Sequence, residues 1–131
     1  MRPTLTTAVV GVAAGVGALA AHAAAPVQLC GHYAALIPCA SFVQHPGTLG
    51  FGSDGRVEAI HLRWSRWGSA VATAHGTLRS NGGPAGDPEW TSESTTLTAS
   101  HIGTCRGHRV YLRLEVLERG SRYVLRGCVP H

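Results

Sequence analysis

The sequence contains no lysine, and all eleven of its basic residues are arginine. Schiff-base catalysis needs a lysine nucleophile, and the standard P-loop needs a lysine that reaches the phosphates, so both are excluded. Aromatic residues make up only 6% and charged residues only 14% of the 131 positions. This length supplies one domain, which excludes a multidomain enzyme and most large cofactor-binding folds.

A long apolar run occurs only at the N-terminus. One basic residue precedes the run Leu5–Ala21, and small residues follow in Ala21-His22-Ala23. These three parts are typical of a secretory signal peptide and predict cleavage after Ala23. A membrane anchor is the alternative, but the run is short and rich in Ala and Gly, whereas a span needs roughly 20 strongly apolar residues. We therefore expect a secreted, extracellular protein without residues 1–23.

The charge of the exported part is only mildly positive. Without the signal segment 108 residues remain, with ten arginines against seven acids, a net charge of +3. This balance is too small for a nucleic-acid-binding surface, although it favours loose contact with anionic cell-wall polymers. The expected partner is such a polymer or another extracellular protein, with no membrane contact after cleavage. The sequence leaves the oligomeric state open.

Four cysteines lie in the part predicted to be exported, which predicts two disulfide bonds. The pairing Cys30–Cys39 with Cys105–Cys128 is favoured because each bond closes a short loop, worth roughly 3 kcal/mol in chain entropy. The alternative joins Cys30 to Cys128 and Cys39 to Cys105. A zinc site that includes His32 is a further interpretation, but the chain has no CxxC spacing and export favours oxidation.

Strand patterns dominate the exported part, and no segment after residue 23 has a helical period of useful length. After the signal helix we expect an irregular, disulfide-tied lead-in over 24–46, with a short strand around Ala40–Gln44, and an antiparallel β domain over 47–131. The predicted strands are Thr48–Phe51, Val57–Trp67, Ser69–Leu78, Ser94–His101, Arg109–Glu118 and Arg122–Cys128. Arg79–Glu89 is a predicted loop. Short, evenly spaced strands indicate an all-β antiparallel sandwich or a small barrel.

Two of these strands alternate apolar and polar residues with a period of two, which gives each strand one buried face. The apolar sets are Ile60, Leu62 and Trp64 in the first strand and Val110, Leu112, Leu114 and Val116 in the second. Small residues recur on one parity of Ser69–Leu78, which predicts close packing against a bulky neighbour, Trp64 or Trp67.

The tryptophans near the end of the first strand form the candidate binding surface. Trp64 and Trp67 are three residues apart, so in a regular strand they point to opposite faces. One is expected in the core, and the other is either exposed or covered by the lead-in. An exposed tryptophan beside Arg63 and Arg66 suits stacking on a sugar ring or a nucleobase. The alternative is a core tryptophan together with one that closes the sheet edge.

The glycine-rich segment Gly50–Gly55 fits the pattern GxGxxG. That pattern binds a dinucleotide only where it opens a helix, whose N-terminus holds the pyrophosphate. A predicted strand follows here, so we interpret the segment as a hairpin turn and expect no cofactor.

Catalytic and metal-binding patterns are weak. His61 and His75 lie on adjacent predicted strands, but no HxH or HExxH spacing accompanies them, so no metal site is expected. A triad can be drawn from Ser65, His61 and Asp54, but the chain has no GxSxG elbow. With few acids and a small domain, we expect no catalytic residue and no enzymatic activity.

A longer motif runs through the middle of the chain. It begins with a strand that carries Leu-x-x-(Cys) and a turn with Asp or Asn, followed by W-x-x-W-G, A-x-x-x-G-T and Asn. The matching residues are Leu49, Asp54, Trp64, Trp67, Gly68, Ala72 or Ala74, Gly76, Thr77 and Asn81. In this motif Pro46–Asn81 resembles a group of small exported actinobacterial proteins, which also have a late strand with a tyrosine, for which Tyr123 is a candidate. The group has a cysteine near Phe51 and more after Asn81, so its disulfide plan differs. The resemblance implies a secreted β domain and no catalytic residue.

The leading hypothesis is a secreted, disulfide-stabilised, non-catalytic β domain that binds a partner outside the cell or at its surface. Its predicted contact surface is Trp64, Trp67, Arg63 and Arg66. The alternative is a small secreted enzyme inhibitor or hydrolase, for which Arg79–Glu89 is the candidate inhibitory loop.

Overall fold

The computed structural model describes residues 25–33, 39–52, 55–84, 86–126 and 128, and the predicted signal peptide lies outside these ranges. The described residues contain nine strands and no helix, which confirms the all-β fold class. The strands are β1 (Leu29–Cys30), β2 (His32–Tyr33), β3 (Phe42–Val43), β4 (Leu49–Phe51), β5 (Val57–Ser65), β6 (Val71–Asn81), β7 (Trp90–Cys105), β8 (His108–Glu118) and β9 (Ser121–Arg126).

Seven of the strands form one sheet in the order β2-β4-β5-β6-β7-β8-β9. Neighbours from β4 to β9 pair antiparallel, whereas β2 lies parallel to β4. The sheet curls into a nearly closed barrel, and β1 and β3 form a separate two-stranded sheet. The largest fully buried side chains are Tyr111, Leu29, Leu49, Leu78, Leu97, Leu114 and Val110.

The lead-in pairs with two different strands of the barrel sheet, β8 and β4. Gln28 forms a parallel bridge with Val110 of β8. Its N–H donates to the Arg109 carbonyl at 2.9 Å, and its carbonyl accepts from the Tyr111 N–H at 3.1 Å. A few residues later β2 pairs with β4 on the opposite side. The segment that the sequence predicts as irregular therefore contains three short strands, including β3 inside the predicted 40–44.

A β-bulge interrupts β5. His61 and Leu62 together lie opposite Gly76 of β6, and His61 has a φ of 55°. One extra residue reverses the alternation of side chains between the two faces of a strand. Ala59 before the bulge and Leu62 after it are both buried, whereas Ile60 is only half-buried. The prediction that Ile60 shares the buried face with Leu62 is therefore wrong.

The first residues of β8 also depart from the predicted alternation. Tyr111 is fully buried in the main core, whereas Leu112 is half-buried and borders a depression on the outer face. The prediction placed Leu112 inside and Tyr111 outside, and it is wrong at both. Val110 is buried as well, although it lies outside the main core cluster. Tyr111 is held in the core because its ring packs against Trp67 and its hydroxyl bonds to Gly68 and Ser69.

Two Arg-Gly pairs form the tight turns of the last three strands. Arg106–Gly107 joins β7 to β8, and Arg119–Gly120 joins β8 to β9. All four residues have positive φ, between 48° and 82°, which is the geometry of the type I′ turn that matches strand twist. The second turn confirms the predicted hairpin. The first extends β7 to Cys105, beyond its predicted end at His101.

Two disulfide bonds cross-link the chain. Cys30–Cys39 lies within the lead-in, and Cys105–Cys128 joins the end of β7 to the segment after β9. This is the pairing favoured from the short loops, and it leaves no free cysteine. The zinc interpretation is therefore wrong, because a disulfide-bonded cysteine offers no thiolate to a metal. Within the described ranges, no helix is long and apolar enough to cross a bilayer.

Candidate functional site

An aromatic cluster lies at the end of the barrel where β5 finishes. The rings of Trp64 and Trp67 meet edge to face with centroids 4.9 Å apart. Tyr111 lies 5.3 Å from Trp67 at a similar angle, and His45 lies 5.8 Å away on another side. Aromatic pairs at these distances attract one another beyond simple area burial. The cluster therefore packs both tryptophans against the core.

Both indole N–H groups donate to the backbone of this same chain. Trp64 Nε1 donates to the Pro46 carbonyl at 2.8 Å, and Trp67 Nε1 donates to the Val27 carbonyl at 3.0 Å. Both side chains are half-buried. The two tryptophans therefore hold the lead-in across this end of the barrel, which is the covered arrangement that the sequence left open beside an exposed one.

The four predicted binding residues do not share one surface. Trp64 and Trp67 contact each other, so the expectation that they point to opposite faces is wrong. The reason is that β5 ends at Ser65, and Trp67 lies in the following turn, where Arg66 has a φ of 61°. Arg63 is exposed one residue before Trp64 and so projects from the outer face of the sheet. Arg66 is exposed in the turn.

The Tyr111 hydroxyl joins the aromatic cluster to this turn. It donates to the Ser69 carbonyl at 2.7 Å and accepts from the Gly68 N–H at 2.8 Å. Burial raises the pKa of the Tyr111 phenol above its ordinary value of 10.0, and the Gly68 N–H and the Arg109 charge only partly oppose this. The two indole N–H groups and the Tyr111 hydroxyl are therefore all bonded to the backbone of this chain.

The histidines do not gather into a metal site or a triad in the described part of the chain. His61 and Ser65 are four residues apart on β5, roughly 13 Å in an extended strand, and Asp54 lies outside the described residues. His75 lies within 3.2 Å of the Thr96 hydroxyl. Among the described residues, no three His, Cys, Asp or Glu side chains are close enough to hold a metal.

The glycine-rich segment is a hairpin, as predicted. Gly50 lies in β4, Gly52 and Gly55 have φ values of 80° and 72°, and the antiparallel strand β5 follows. A Cβ at Gly50 would overlap the His32 ring, so the ring lies over the space that this glycine leaves open.

The opposite end of the barrel opens into a cleft of about 470 Å³, which we call the mouth cleft. It lies where edge strand β9 faces the β4–β5 hairpin. Its apolar wall consists of Phe51, Val57, Leu78, Val116, Tyr123 and Leu125. Tyr123 is 51% exposed, so a large aromatic ring stands at the entrance. The barrel therefore has one end closed by aromatic rings and one end that is open and apolar.

Polar residues stand on one rim of the mouth cleft. Arg56, Asn81 and Glu118 belong to its lining. Arg56 Nη1 donates to the Gly83 carbonyl at 2.8 Å, which fixes the guanidinium beside the opening. The Asn81 side-chain oxygen accepts from the N–H groups of Gly83 and Glu89 at 3.1 and 2.9 Å. These bonds order the rim before any ligand arrives.

The sequence did not single out the mouth cleft. Val116 was predicted to face inward, and Tyr123 was noted only through the family resemblance. The other apolar lining residues are ordinary positions near strand ends, and only the curl of the sheet brings them together. An apolar residue at the end of several alternating strands is the one local signal that could have indicated it.

Comparisons with known proteins place the chain beside no characterised relative. No protein-family model matches it, and neither the curated proteins nor the solved structures contain a match. The geometry of the barrel and its cleft is therefore the basis for assigning a function.

Proposed function

We propose that this protein is a secreted, disulfide-bonded, non-catalytic binding domain that takes a small apolar ligand in the mouth cleft. The supporting observation is the difference between the two barrel ends. Aromatic side chains and the start of the lead-in fill one end, whereas the other presents apolar walls to water. Burying such surface under a ligand is favourable, and a cleft of about 470 Å³ lies within the range of roughly 300–1,000 Å³ typical of ligand sites.

The lining defines the chemistry of the ligand. Aliphatic and aromatic walls suit a rigid or branched apolar body, with Tyr123 covering it at the entrance. Polar groups occur on the rim, where Arg56 and Glu118 bring a guanidinium and a carboxylate. A ligand with one polar end keeps that end hydrated or hydrogen-bonded at the rim, whereas a polar group deep in the cleft would lose its water without compensation.

Two features support a location outside the cell. Disulfide bonds persist in oxidising compartments and are rare in the cytosol, and this small chain has two. The sequence of residues 1–23 has the three parts of a secretory signal. The resemblance of Pro46–Asn81 to small exported actinobacterial proteins agrees with this location.

Binding of a neutral apolar probe tests the proposal. N-phenyl-1-naphthylamine fluoresces strongly when it leaves water, so the parent protein should give saturable enhancement. Tyr123→Glu places a charge on the cleft wall and should weaken binding about tenfold or more, since an unpaired charge there loses solvation. Val124→Glu is the matched control, because Val124 is 52% exposed on the other face of the same strand.

The outcomes separate clearly. Loss of binding in Tyr123→Glu together with retention in Val124→Glu supports the mouth cleft. No saturable enhancement by the parent, or equal loss in both variants, overturns it. Circular dichroism of both variants checks that each retains the fold.

Protease inhibition is a second candidate, favoured by the hydrogen bonds at both ends of the loop between β6 and β7. The predicted loop Arg79–Glu89 is shorter than expected because β6 runs to Asn81. Its ends are clamped by Asn81 and by the bond from Gly82 N–H to the Glu89 carbonyl at 3.1 Å. The parent protein should inhibit secreted proteases in a panel assay. A variant in which residues 84–88 are replaced by glycine and serine should not inhibit them. Unchanged protease activity with the parent excludes this function.

A further inference from the structure

Two arginines face each other directly on the outer surface of the last hairpin. Arg113 of β8 is the cross-strand partner of Arg126 of β9. Because Leu114 beside Arg113 is fully buried, alternation directs both arginine side chains outward. Like charges in direct cross-strand register destabilise a sheet. The same register places Arg122 opposite Leu117.

The arginine pair borders a depression of about 280 Å³. His101 of β7 adds an exposed imidazole to the same depression, and Val124 of β9 also lines it. Arg113 Nη2 also donates to Glu115 at 2.8 Å. In the part of the chain that the structure describes, Arg126 has no carboxylate within ion-pair distance. The depression therefore holds more positive charge than the nearby carboxylate neutralises.

A second depression of about 290 Å³ continues along the same strands. It is lined by Thr96, Thr98, Glu115, Leu117 and Arg122. Arg122 and Arg126 lie four residues apart on one face of β9, roughly 13 Å in an extended strand. The two depressions therefore form a track with hydroxyl groups and with a basic group at each end.

We propose that this arginine face, defined by Arg113, Arg122, Arg126 and His101, binds an extended phosphate polymer. One phosphate lies between Arg113 and Arg126, because guanidinium groups bind oxyanions through paired N–H donors. A phosphate has enough oxygens to accept from both guanidiniums at once and to remove their repulsion. This face is on the outside of the sheet, so it is independent of the mouth cleft.

Titration calorimetry with polyphosphate at low ionic strength tests the arginine face. The parent should bind, and Arg126→Gln should weaken binding about tenfold or more, as expected for the loss of hydrogen bonds to a charged group. Arg119→Gln is the charge-matched control, because its side chain is 72% exposed in the turn and pairs only loosely with Glu93, at 3.8 Å. Its effect should be less than about twofold.

A second measurement distinguishes binding from a structural role. Arg126→Gln removes a repulsion in the free protein, so its thermal midpoint should stay equal to the parent's or rise. A fall in the midpoint would show that Arg126 stabilises the sheet and would overturn the assignment.

Further arms identify the source of the phosphate. Binding of polyphosphate far more tightly than orthophosphate supports a polymer track. Equal loss of binding in Arg126→Gln and Arg119→Gln, no binding by the parent, or preference for single-stranded DNA over polyphosphate would each contradict the proposal. Val124→Glu leaves the mouth cleft intact but should also weaken polyphosphate binding. The apolar probe and polyphosphate therefore test the mouth cleft and the arginine face separately, and a negative result at one surface does not affect the conclusion at the other.

Discussion

The indole N–H of Trp67 donates a hydrogen bond of 3.0 Å to the carbonyl of Val27, forty residues earlier in the chain. Val27 is itself buried, and the next residue, Gln28, bridges to β8. Trp67 therefore connects the turn after β5 to the start of the lead-in. This contact gives Trp67 a structural role within the chain, and that role accounts for its position without a bound ligand.

Trp67→Phe keeps an aromatic ring but removes the donor to Val27. We expect the free energy of unfolding to fall by about 1–2 kcal/mol, from the lost hydrogen bond and reduced packing. Urea denaturation measures this, with Trp90→Phe as the control because Trp90 is 41% exposed. Unchanged stability in Trp67→Phe together with lost partner binding would instead favour the contact surface that the sequence predicted.

Gly76 is required by the bulge in β5. A Cβ at Gly76 would lie 2.6 Å from the Ile60 carbonyl oxygen and 2.9 Å from Leu62. Gly76→Ala should lower stability by about 1–3 kcal/mol, the usual cost of overpacking. Gly82→Ala is the control, since a Cβ there meets open space. Equal stability of the two variants would show that the bulge relaxes at no cost.

Alkaline pH should destabilise the fold through two buried tyrosines. Burial raises the pKa of the Tyr33 phenol and of the Tyr111 phenol above 10.0. The folded chain therefore keeps protons that the unfolded chain has already released, so stability is complete below about pH 10 and falls as the pH rises toward the folded-state values.

Tyr111→Phe separates the two effects of this side chain. It should cost about 1–3 kcal/mol near neutral pH, because the Gly68 N–H and the Ser69 carbonyl lose their partner. Its stability should then decline less steeply than the parent's above about pH 10. Chemical denaturation at several pH values measures both, and identical slopes would exclude Tyr111 as a source of the pH dependence.

The two disulfide bonds should contribute unequally. Cys105–Cys128 spans 23 residues and Cys30–Cys39 spans 9, so the chain-entropy model gives losses of about 3.5 and about 2.7 kcal/mol on removal. Denaturation of the two double Cys→Ser variants tests this order. A larger loss for Cys30–Cys39 would mean that native contacts of the lead-in outweigh loop entropy.

Local patterns predicted most of the strands because alternation and turn chemistry are properties of neighbouring residues. β4, β5, β6 and β8 begin within two residues of their predicted starts, and the hairpin at Arg119–Gly120 is where the sequence places it. β7 is longer than predicted at both ends, because pairing of Trp90 with β6 and of Cys105 with β8 fixes its length and local alternation does not.

The site was harder to predict because it depends on long-range pairing. One inserted residue at His61 exchanges the two faces of β5, and a turn at Arg66 brings Trp67 back beside Trp64. The mouth cleft joins Phe51 of β4 to Leu125 of β9, at distant points of the sequence. No periodicity within a strand specifies how far the sheet curls.

A heteronuclear NMR titration with N-phenyl-1-naphthylamine locates the ligand site residue by residue. We expect saturable shifts at the amides of the mouth cleft, Val57, Leu78, Val116 and Leu125, with those of Trp64 and Trp67 unchanged. Shifts confined to the tryptophan end, or none at saturating probe, would contradict the proposed site.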